Sequence, residues 1–299
     1  MRILMVAPEP FFEPRGTPFS VYHRARALGE LGHTIDLLTY HIGADVTLPR
    51  VTLRRAPRLP FVRRVKIGPS LVKFPLDALL FAATLRLLLR RRYDCIHTHE
   101  EAGLFGAVLG RLFRVPHVYD MHSQLSRQLS TFGFTRSRAL IGLMRGVERA
   151  IIQNARVVIV ICQDLEDVVA SIAPGKLVVL IENTAVMANT ADTGADAAGE
   201  TERLRSELGL VERRGPVLLY TGTFESYQGL GLLMESMPAV LARFPDATYV
   251  LAGGQAEQIA ALAARAERLG VRQALRLAGQ RPPGEMPALM ALADVLLSP

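Results

Sequence analysis

Two short polar segments that contain histidines each follow an apolar run of the sequence. Residues His97 to Glu100 follow the first run, and residues Asp120 to Ser123 follow the second. Open parallel sheets bind ligands at the carboxyl ends of their strands, so we expect His99 and His122 to converge on one crevice. This convergence points to a catalytic site. A metal site is the competing interpretation, but the pair lacks third and fourth ligands at recognisable spacing.

Glycine-rich turns follow other apolar runs and could bring backbone amides close to a phosphate. A helix that starts at such a turn directs its amide groups and its dipole toward an anion. Each turn alone is also a common way to join a strand to a helix, but together they predict a nucleotide diphosphate site between two domains. The residues concerned are Gly16, Thr17, Gly222, Thr223, Gln228, Gly253 and Gly254.

Apolar runs alternate with segments of helical periodicity along the whole chain, which predicts the elements that position these residues. Each predicted strand is continuously apolar, which is typical of a parallel sheet covered on both faces. The predicted strands are 3–7, 34–39, 51–55, 94–97, 117–121, 157–161, 177–181, 217–221, 248–252, 275–278 and 295–298. The predicted helices are 76–91, 102–113, 137–153, 164–171, 230–243, 255–269 and 286–292, after a first helix with Val21, Ala25, Leu28 and Leu31 on one face.

The chain of 299 residues, 49% of them hydrophobic, is long enough for two cores. From residue 184 the composition changes to Ala, Thr, Asp and Gly, which cannot support a core. We therefore predict an α/β protein with two Rossmann-like domains, 1–183 and 215–299, joined by a linker at 184–214. Because the last predicted strand has no helix after it, we expect the second domain to be incomplete.

Basic residues are concentrated between Arg50 and Arg92, where there are 12 of them against one acid, Asp77. Nucleic acid is not expected as a partner, because there is no recognition motif or interleaved aromatic pattern. The stretch 74–92 is too short and interrupted to cross a bilayer. It is either a helix on an anionic membrane surface or an ordinary sheet-covering helix with a cationic end.

The two cysteines, Cys95 and Cys162, lie in apolar runs and are expected to be buried free thiols. The first residues lack the apolar stretch of a secretory signal, so we expect a cytoplasmic protein, either free or peripheral on the inner face of the membrane.

Five segments resemble glycosyltransferase family 4, whose members have the GT-B fold, and the resemblance covers essentially the whole chain. They are PRGTPFSVYHRARALGELGHTIDLLT, YDCIHTHE, PHVYDMHS, KLVVLIENT and VLLYTGTFESYQGLGLLMESMPAVLARFPDATYVLAGG. The resemblance implies that His122 lies at the reacting sugar with His99 beside it. It implies that Gly16 and Thr17 lie against the donor phosphate or the acceptor, that Gly222 and Gly254 border the donor, and that Glu100 and Arg127 lie on the acceptor side.

The implied activity is retaining transfer of a hexosyl group from a nucleoside diphosphate sugar to a glycan or lipid-linked acceptor. It implies no metal and no cofactor, because the leaving phosphate itself takes the acceptor proton and the protein positions the reactants and stabilises charge. A sugar-nucleotide epimerase of the same fold and a non-catalytic binding subunit are the alternatives.

Three positions depart from the family pattern. Thr223 and Gln228 stand where the family has Arg and Lys, and Thr184 follows Asn183 where the family has Gly. Either another cation, such as Arg15 or Arg127, replaces the missing pair, or transfer is weakened. The family's Glu-x7-Glu segment would fall beyond Pro299, so we expect the 299-residue chain to be inactive as a transferase.

Overall fold

The computed structural model describes residues 1–13, 16–65, 68–131, 134–135, 137–182, 196–212 and 214–299. Its contacts divide the chain into two compact units, Met1–Thr184 and Ala185–Pro299. Each unit is an α/β structure built on one parallel sheet, as the continuously apolar strands predict.

The first unit has a sheet of seven parallel strands in the order β3-β2-β1-β4-β5-β6-β7. The strands are β1 (Arg2–Ala7), β2 (Thr34–Thr39), β3 (Val51–Arg55), β4 (Cys95–His99), β5 (His117–Met121), β6 (Val157–Val160) and β7 (Val178–Leu180). The helices are α1 (Gly16–Glu30), α2 (Lys73–Arg90), α3 (Gly103–Phe113), α4 (Leu125–Thr131), α5 (Arg138–Asn154) and α6 (Gln163–Ile172).

The central strand β1 is buried because its side chains are apolar on both faces. All residues of β1 after Arg2 are buried, and the cores on the sheet faces are built on β1, β2, β4, β5 and β6. Helix α3 lies close to the sheet through its glycines. A Cβ atom at Gly106 would be 2.1 Å from Nε2 of His117, and one at Gly103 would be 2.7 Å from the Tyr119 ring. This close approach fixes β4 and β5, whose carboxyl ends carry the histidines.

The second unit has four parallel strands in the order β10-β9-β8-β11. The strands are β8 (Val217–Thr221), β9 (Thr248–Ala252), β10 (Leu275–Gly279) and β11 (Val295–Leu296). The helices are α7 (Asp196–Glu207), α8 (Leu230–Arg243), α9 (Ala256–Arg268) and α10 (Met286–Ala291).

The predicted linker 184–214 is wrong over residues 196–207, because helix α7 forms there and belongs to the second unit. Its Leu204, together with Leu208 and Leu210 after it, is buried in a core with Leu289 and Leu292. Residues 184–195 of the predicted linker lie outside the described residues, as do Asn183 and Arg15.

Several local predictions also need correction. Helix α4 was not predicted, and β4 runs to His99 instead of ending at residue 97. Leu31 follows α1 and is 74% exposed, so it does not continue the buried face of that helix. Both cysteines are free, but the expected burial is not seen, since Cys95 is partly buried and Cys162 is exposed.

Candidate active site

The carboxyl ends of β4 and β5 bring three histidine rings into one stack. His99 lies opposite Asp120 in the pairing of the two strands, and His97 lies on the same face as His99 because strand side chains alternate. The His97 and His99 ring centroids are 4.8 Å apart, and those of His99 and His122 are 5.5 Å apart. Nδ1 of His99 and Nε2 of His122 are 3.2 Å apart and share a hydrogen bond. The predicted convergence of His99 and His122 is therefore present in the structure.

The Asp120 carboxylate is fully buried at the centre of this stack. Its Oδ2 is 2.5 Å from Nε of Arg24, 3.2 Å from Nε2 of His97 and 3.5 Å from Nδ1 of His99. Its Oδ1 is 3.2 Å from Nε2 of His122. Only the His97 contact is aligned as a hydrogen bond, so the others act mainly through charge. One carboxylate thus joins α1, β4 and the segment after β5.

Burial and the shared carboxylate determine the charges of these groups. Burial lowers the pKa of His99 well below its usual value, and it also lowers the pKa of His122, although Asp120 opposes both shifts. Burial alone would raise the pKa of Asp120. The neighbouring histidines His122, His99 and His97 lower this pKa by more than burial raises it, so the net shift is downward. At neutral pH the site therefore holds an ionised carboxylate paired with Arg24, beside neutral His99 and His122 rings.

His97, His99 and Asp120 could in principle hold a metal, because one ligand atom from each lies within 4.8 Å of the others. This group contains His99 but not His122, so the expectation for the pair of His99 and His122 stays a prediction. The Arg24 guanidinium, however, already contacts Oδ2, the oxygen that both His97 and His99 face. A divalent cation would be repelled by this fixed charge, so the residues fit an ion-paired carboxylate better than a metal centre.

Glu100 lies directly beside the histidine stack, at the start of a short 3-10 turn, with a φ of 47°. Its carboxyl group accepts hydrogen bonds from Oγ of Ser123 at 2.9 Å and from Nε2 of Gln128 at 3.2 Å. Burial, and then the charge of Glu101, raises the pKa of Glu100 to about 8. The loops that follow β4 and β5 are therefore connected by a carboxyl group that is protonated at neutral pH. Arg127 is exposed on α4, next to Gln128.

Gly16 and Thr17 form the first turn of α1, as the sequence predicts. Gly16 is exposed, and among the described residues outside its own turn no atom lies within 4 Å of the position that a Cβ would take. The same helix carries Arg24 about 12 Å further along its axis, given a rise of 1.5 Å per residue. Helix α1 therefore connects the predicted phosphate turn to the carboxylate that contacts His122.

The predicted donor residues of the second unit lie at the ends of β8 and β9. A Cβ at Gly253 would be 1.8 Å from the carbonyl oxygen of Gly222, and a Cβ at Gly254 would be 2.3 Å from the Phe224 ring, so only glycine fits there. The backbone amides of Gly222 and Gly253 already donate to Ala252 and Gly279, at 3.0 and 2.7 Å. These two glycines therefore serve close packing of the turns, while their amides are occupied within the sheet.

Thr223 and Gln228, which replace the expected cations, contact each other. Nε2 of Gln228 donates to Oγ1 of Thr223 at 3.2 Å, and the segment from Gly222 to Gly229 contains no Lys or Arg. The segment therefore carries no cation. Its one charged side chain is Glu225, which accepts a hydrogen bond from Nε2 of Gln258 at 3.2 Å.

Comparison with known protein families identifies the chain. A family described as "Glycosyl transferase 4-like domain" matches residues 15–184, and one described as "Glycosyl transferases group 1" matches residues 215–299. The chain belongs to the glycosyl transferase 4-like family. It is a glycosyltransferase of the GT-B class, as the resemblance implied.

Individual relatives and solved structures agree with this family. A 2-deoxystreptamine glucosyltransferase from Streptomyces kanamyceticus is 28% identical over 295 residues, which cover 93% of this chain and 73% of the relative. A phosphatidyl-myo-inositol mannosyltransferase from Mycobacterium tuberculosis is 25% identical over 307 residues, which cover 100% of this chain and 71% of the relative. The structure of HepE from Anabaena in complex with UDP has a TM-score of 0.68 at 18% identity, covering 100% of this chain and 74% of that chain.

Sequence reasoning did not single out Arg24, His97 and Asp120 as members of this side-chain cluster. The burial of Arg24 could have been predicted from the sequence, because Arg24 falls three residues after Val21 and one before Ala25, on the face that α1 buries. A charged partner for Asp120 could also have been predicted, because a carboxylate inside an apolar strand is buried only when a partner compensates its charge.

Proposed function

We propose that this glycosyltransferase moves a hexosyl group from a nucleoside diphosphate sugar to a hydroxyl of a glycan or lipid-linked acceptor, with retention and without a metal. The observation that carries the proposal is the stack of His97, His99 and His122 around Asp120 at the carboxyl ends of β4 and β5. Neutral imidazoles that are held rigidly can hydrogen bond to sugar hydroxyls and align the transferred group.

The donor part of the proposal is supported by the second unit and by one structural relative. HepE, which shares the fold, was solved in complex with UDP. Gly222, Gly253 and Gly254 pack tightly in the turns that follow β8 and β9, at the carboxyl ends of the strands, where open parallel sheets bind ligands. Because the turn lacks the expected cations, we propose that this chain binds the diphosphate mainly through neutral hydrogen-bond donors.

The acceptor part is supported by the names of two relatives, which contain 2-deoxystreptamine and phosphatidyl-myo-inositol. Both are compounds with several hydroxyl groups on a ring. In this chain the protonated Glu100 carboxyl and its partners Ser123 and Gln128 offer hydrogen-bonding groups beside the histidines. We propose that this group of three residues orients the acceptor hydroxyl.

The membrane part of the proposal concerns the segment from Arg58 to Phe74. None of the helices in the described ranges combines the length and the apolar character that crossing a bilayer requires. Part of the basic stretch is used internally, since Arg54 and Arg91 both pair with Asp36. Phe61 is 95% exposed and Leu71 is 71% exposed. These side chains, with Arg58, Arg63 and Arg64, could attach the protein to an anionic surface.

Vesicle sedimentation tests the membrane part. Vesicles with acidic lipid should bind the protein at low salt and release it as salt rises, because exposed charges are screened beyond about 8 Å at physiological ionic strength. Replacing Phe61 with Ala should weaken binding, whereas the same change at Phe244, which is 53% exposed in the other unit, should not. Equal binding to neutral vesicles would contradict the electrostatic contribution.

The transferase proposal is tested by replacing His122 with Ala. Turnover should fall far more than the affinity for the nucleotide sugar, because the imidazole contacts the transferred group and not the nucleotide. His33, which lies between α1 and β2, provides the control, since its replacement by Ala should change neither quantity. An unchanged rate in the His122 variant would show that the histidine stack is not the reaction site.

The same assay separates the alternatives. Formation of an epimer of the donor sugar without release of free nucleotide would indicate an epimerase. Binding of the nucleotide sugar without any turnover would indicate a binding subunit, which the uncharged pair Thr223 and Gln228 favours.

A further inference from the structure

A cavity lies at the amino edge of the sheet in the first unit, at the end of β5 that is opposite to the histidine stack. Its volume is about 470 Å³, which is typical of small-molecule sites. His117, the first residue of β5, lines this cavity, whereas His122 follows the last residue of that strand. Five residues of extended strand separate the two histidines by about 16 Å, so the cavity is separate from the candidate active site.

Three arginines line the cavity, and no acidic residue is among the described residues that line it. Arg111 and Arg114 lie at the end of α3, and Arg156 lies between α5 and β6. All three are exposed, and their guanidinium groups make no hydrogen bond or ion pair within the described part of the chain. The cavity therefore carries positive charge that the described side chains do not compensate.

The ends of two helices account for part of this charge but not for all of it. Helix α3 ends at Phe113 and α5 ends at Asn154, and the carboxyl end of a helix acts as roughly −0.5 of an elementary charge. Two such ends supply about −1 against the +3 of the arginines, which leaves about +2. A phosphate monoester carries about −1.5 to −2 at neutral pH, so its charge is complementary to that of the cavity.

His117 gives an independent indication of a ligand. Its side chain is 3% exposed, and its Nδ1 is buried without a hydrogen-bond partner among the described residues. Its Nε2 is 2.7 Å from Oγ1 of Thr98, and burial keeps the ring neutral because it lowers the pKa of His117 to about 3. When the Thr98 hydroxyl donates to Nε2, the ring proton lies on Nδ1. This buried donor then has no acceptor until a ligand supplies one, and an unmade hydrogen bond is costly.

We propose that the cavity binds a small phosphorylated molecule, whose phosphate accepts hydrogen bonds from Arg111, Arg114, Arg156 and Nδ1 of His117. Guanidinium groups present paired N–H donors that match the oxygens of a phosphate. The cavity has room for more than a phosphate ion, so the ligand is an organic monoester. The site is independent of the proposed transfer reaction, because it uses none of the residues at the carboxyl edge of the sheet.

Calorimetric titration of the purified chain tests the proposal, with ribose 5-phosphate as the probe and unphosphorylated ribose as the control. The phosphate ester should bind at millimolar concentration or below, and ribose should not bind. Arg114→Gly and Arg156→Gln should each weaken binding by about tenfold or more, because each removes a charge-assisted hydrogen bond. Arg138→Gln is the matched control and should leave the affinity unchanged. It removes one exposed cation from the first turn of α5, about 24 Å along the helix axis from Asn154.

The variant Arg114→Gly also separates binding from folding. Arg114 ends α3 with a φ of 56°, a left-handed conformation that glycine adopts more easily than arginine does. The variant should therefore have a Tm equal to or higher than that of the native chain while it loses affinity for ribose 5-phosphate. A lower Tm with unchanged affinity would show that this arginine serves the helix end and not a ligand.

Nitrogen-15 NMR tests the buried contact of His117, whose signals are assigned by their loss in His117→Gln. Nδ1 should show the shift of a protonated ring nitrogen and Nε2 that of an unprotonated one. The Nδ1 signal should move on addition of ribose 5-phosphate and stay in place on addition of ribose.

Four results would overturn the proposal. They are no binding of ribose 5-phosphate to the native chain, equal affinity in the native chain and both cavity variants, an equal loss of affinity in Arg138→Gln, and an unprotonated Nδ1 of His117 in the complex. The second result would place the phosphate elsewhere on the chain, and the third would show a response to net charge alone. None of these measurements requires sugar transfer, so their outcome does not depend on the proposed function.

Discussion

Replacing Arg24 with Met should destabilise the first unit, because it leaves the Asp120 carboxylate buried without its cation. Arg24 is 10% exposed and Asp120 is not exposed at all, and the charged atoms are 2.5 Å apart. Breaking a buried ion pair by removing one partner costs about 3–5 kcal/mol. His97 and His122 still contact the carboxylate, so we expect the lower end, about 3 kcal/mol. For a unit of this size such a loss lowers Tm by roughly 6–12 °C.

Thermal and urea unfolding followed by circular dichroism measures this loss on the transition of the first unit. Arg26 provides a matched control on the same helix, since it also pairs with a carboxylate, Glu30, but both side chains are exposed. Arg26→Met should therefore leave the transition where it is. The double variant with Arg24→Met and Asp120→Asn should recover part of the loss, because no buried charge remains. Equal stability of the two single variants would refute the argument that the Arg24 pair compensates a buried charge.

Three further predictions concern His117, Gln228 and Gly253. Burial lowers the pKa of the His117 imidazole to about 3. Between pH 6.5 and 3 the unfolded chain therefore binds a proton at His117 that the folded chain does not bind. The free energy of unfolding then falls by about 1.4 kcal/mol for each pH unit as the pH decreases. His117→Gln should reduce this slope in urea titrations at several pH values, and an identical slope would contradict the assignment. Gln228→Lys should strengthen UDP binding by about tenfold in calorimetry, because it adds a cation to a turn that has none, and weaker binding would count against a diphosphate there. Gly253→Ala should destabilise the second unit by about 2 kcal/mol or more in urea unfolding, since φ of Gly253 is 130° and the Cβ would be 1.8 Å from the Gly222 oxygen. The control Gly231→Ala in α8 should be neutral or stabilising by about 0.5–1 kcal/mol in the same assay.

Most of the sheet strands were predictable because a strand buried on both faces is mainly apolar; the edge strand β3, which ends in Arg54 and Arg55 and is not buried, is an exception. Five predicted strands, those that became β2, β3, β5, β8 and β9, have the bounds seen in the structure. Helix α7 was not predictable in this way, because its residues are mostly polar or alanine and its stability comes from packing against α10. Composition reports the apolar content of a segment, but it does not report what that segment packs on.

The site was predictable to the extent that it depends on sheet topology. His99 and His122 meet because residues at the ends of neighbouring parallel strands must meet. The pairing of Arg24 with Asp120 depends in addition on which way α1 faces above the sheet, and a single sequence does not specify that direction. Their roles in transfer remain predictions, as do the assignments of Gly16, Thr17 and Arg127.

The strand order of the first unit has a consequence during synthesis of the chain. Strand β1 leaves the ribosome before β2, with which it pairs on one side, but its neighbour on the other side is β4. Strand β3 ends at Arg55 and β4 ends at His99, so translation at about 5–20 residues per second leaves one side of β1 without a partner for roughly 2–9 s. During this interval the edge of the apolar strand β1 is open to pairing with other nascent chains. Codon usage between these two positions would therefore be expected to affect the yield of soluble protein.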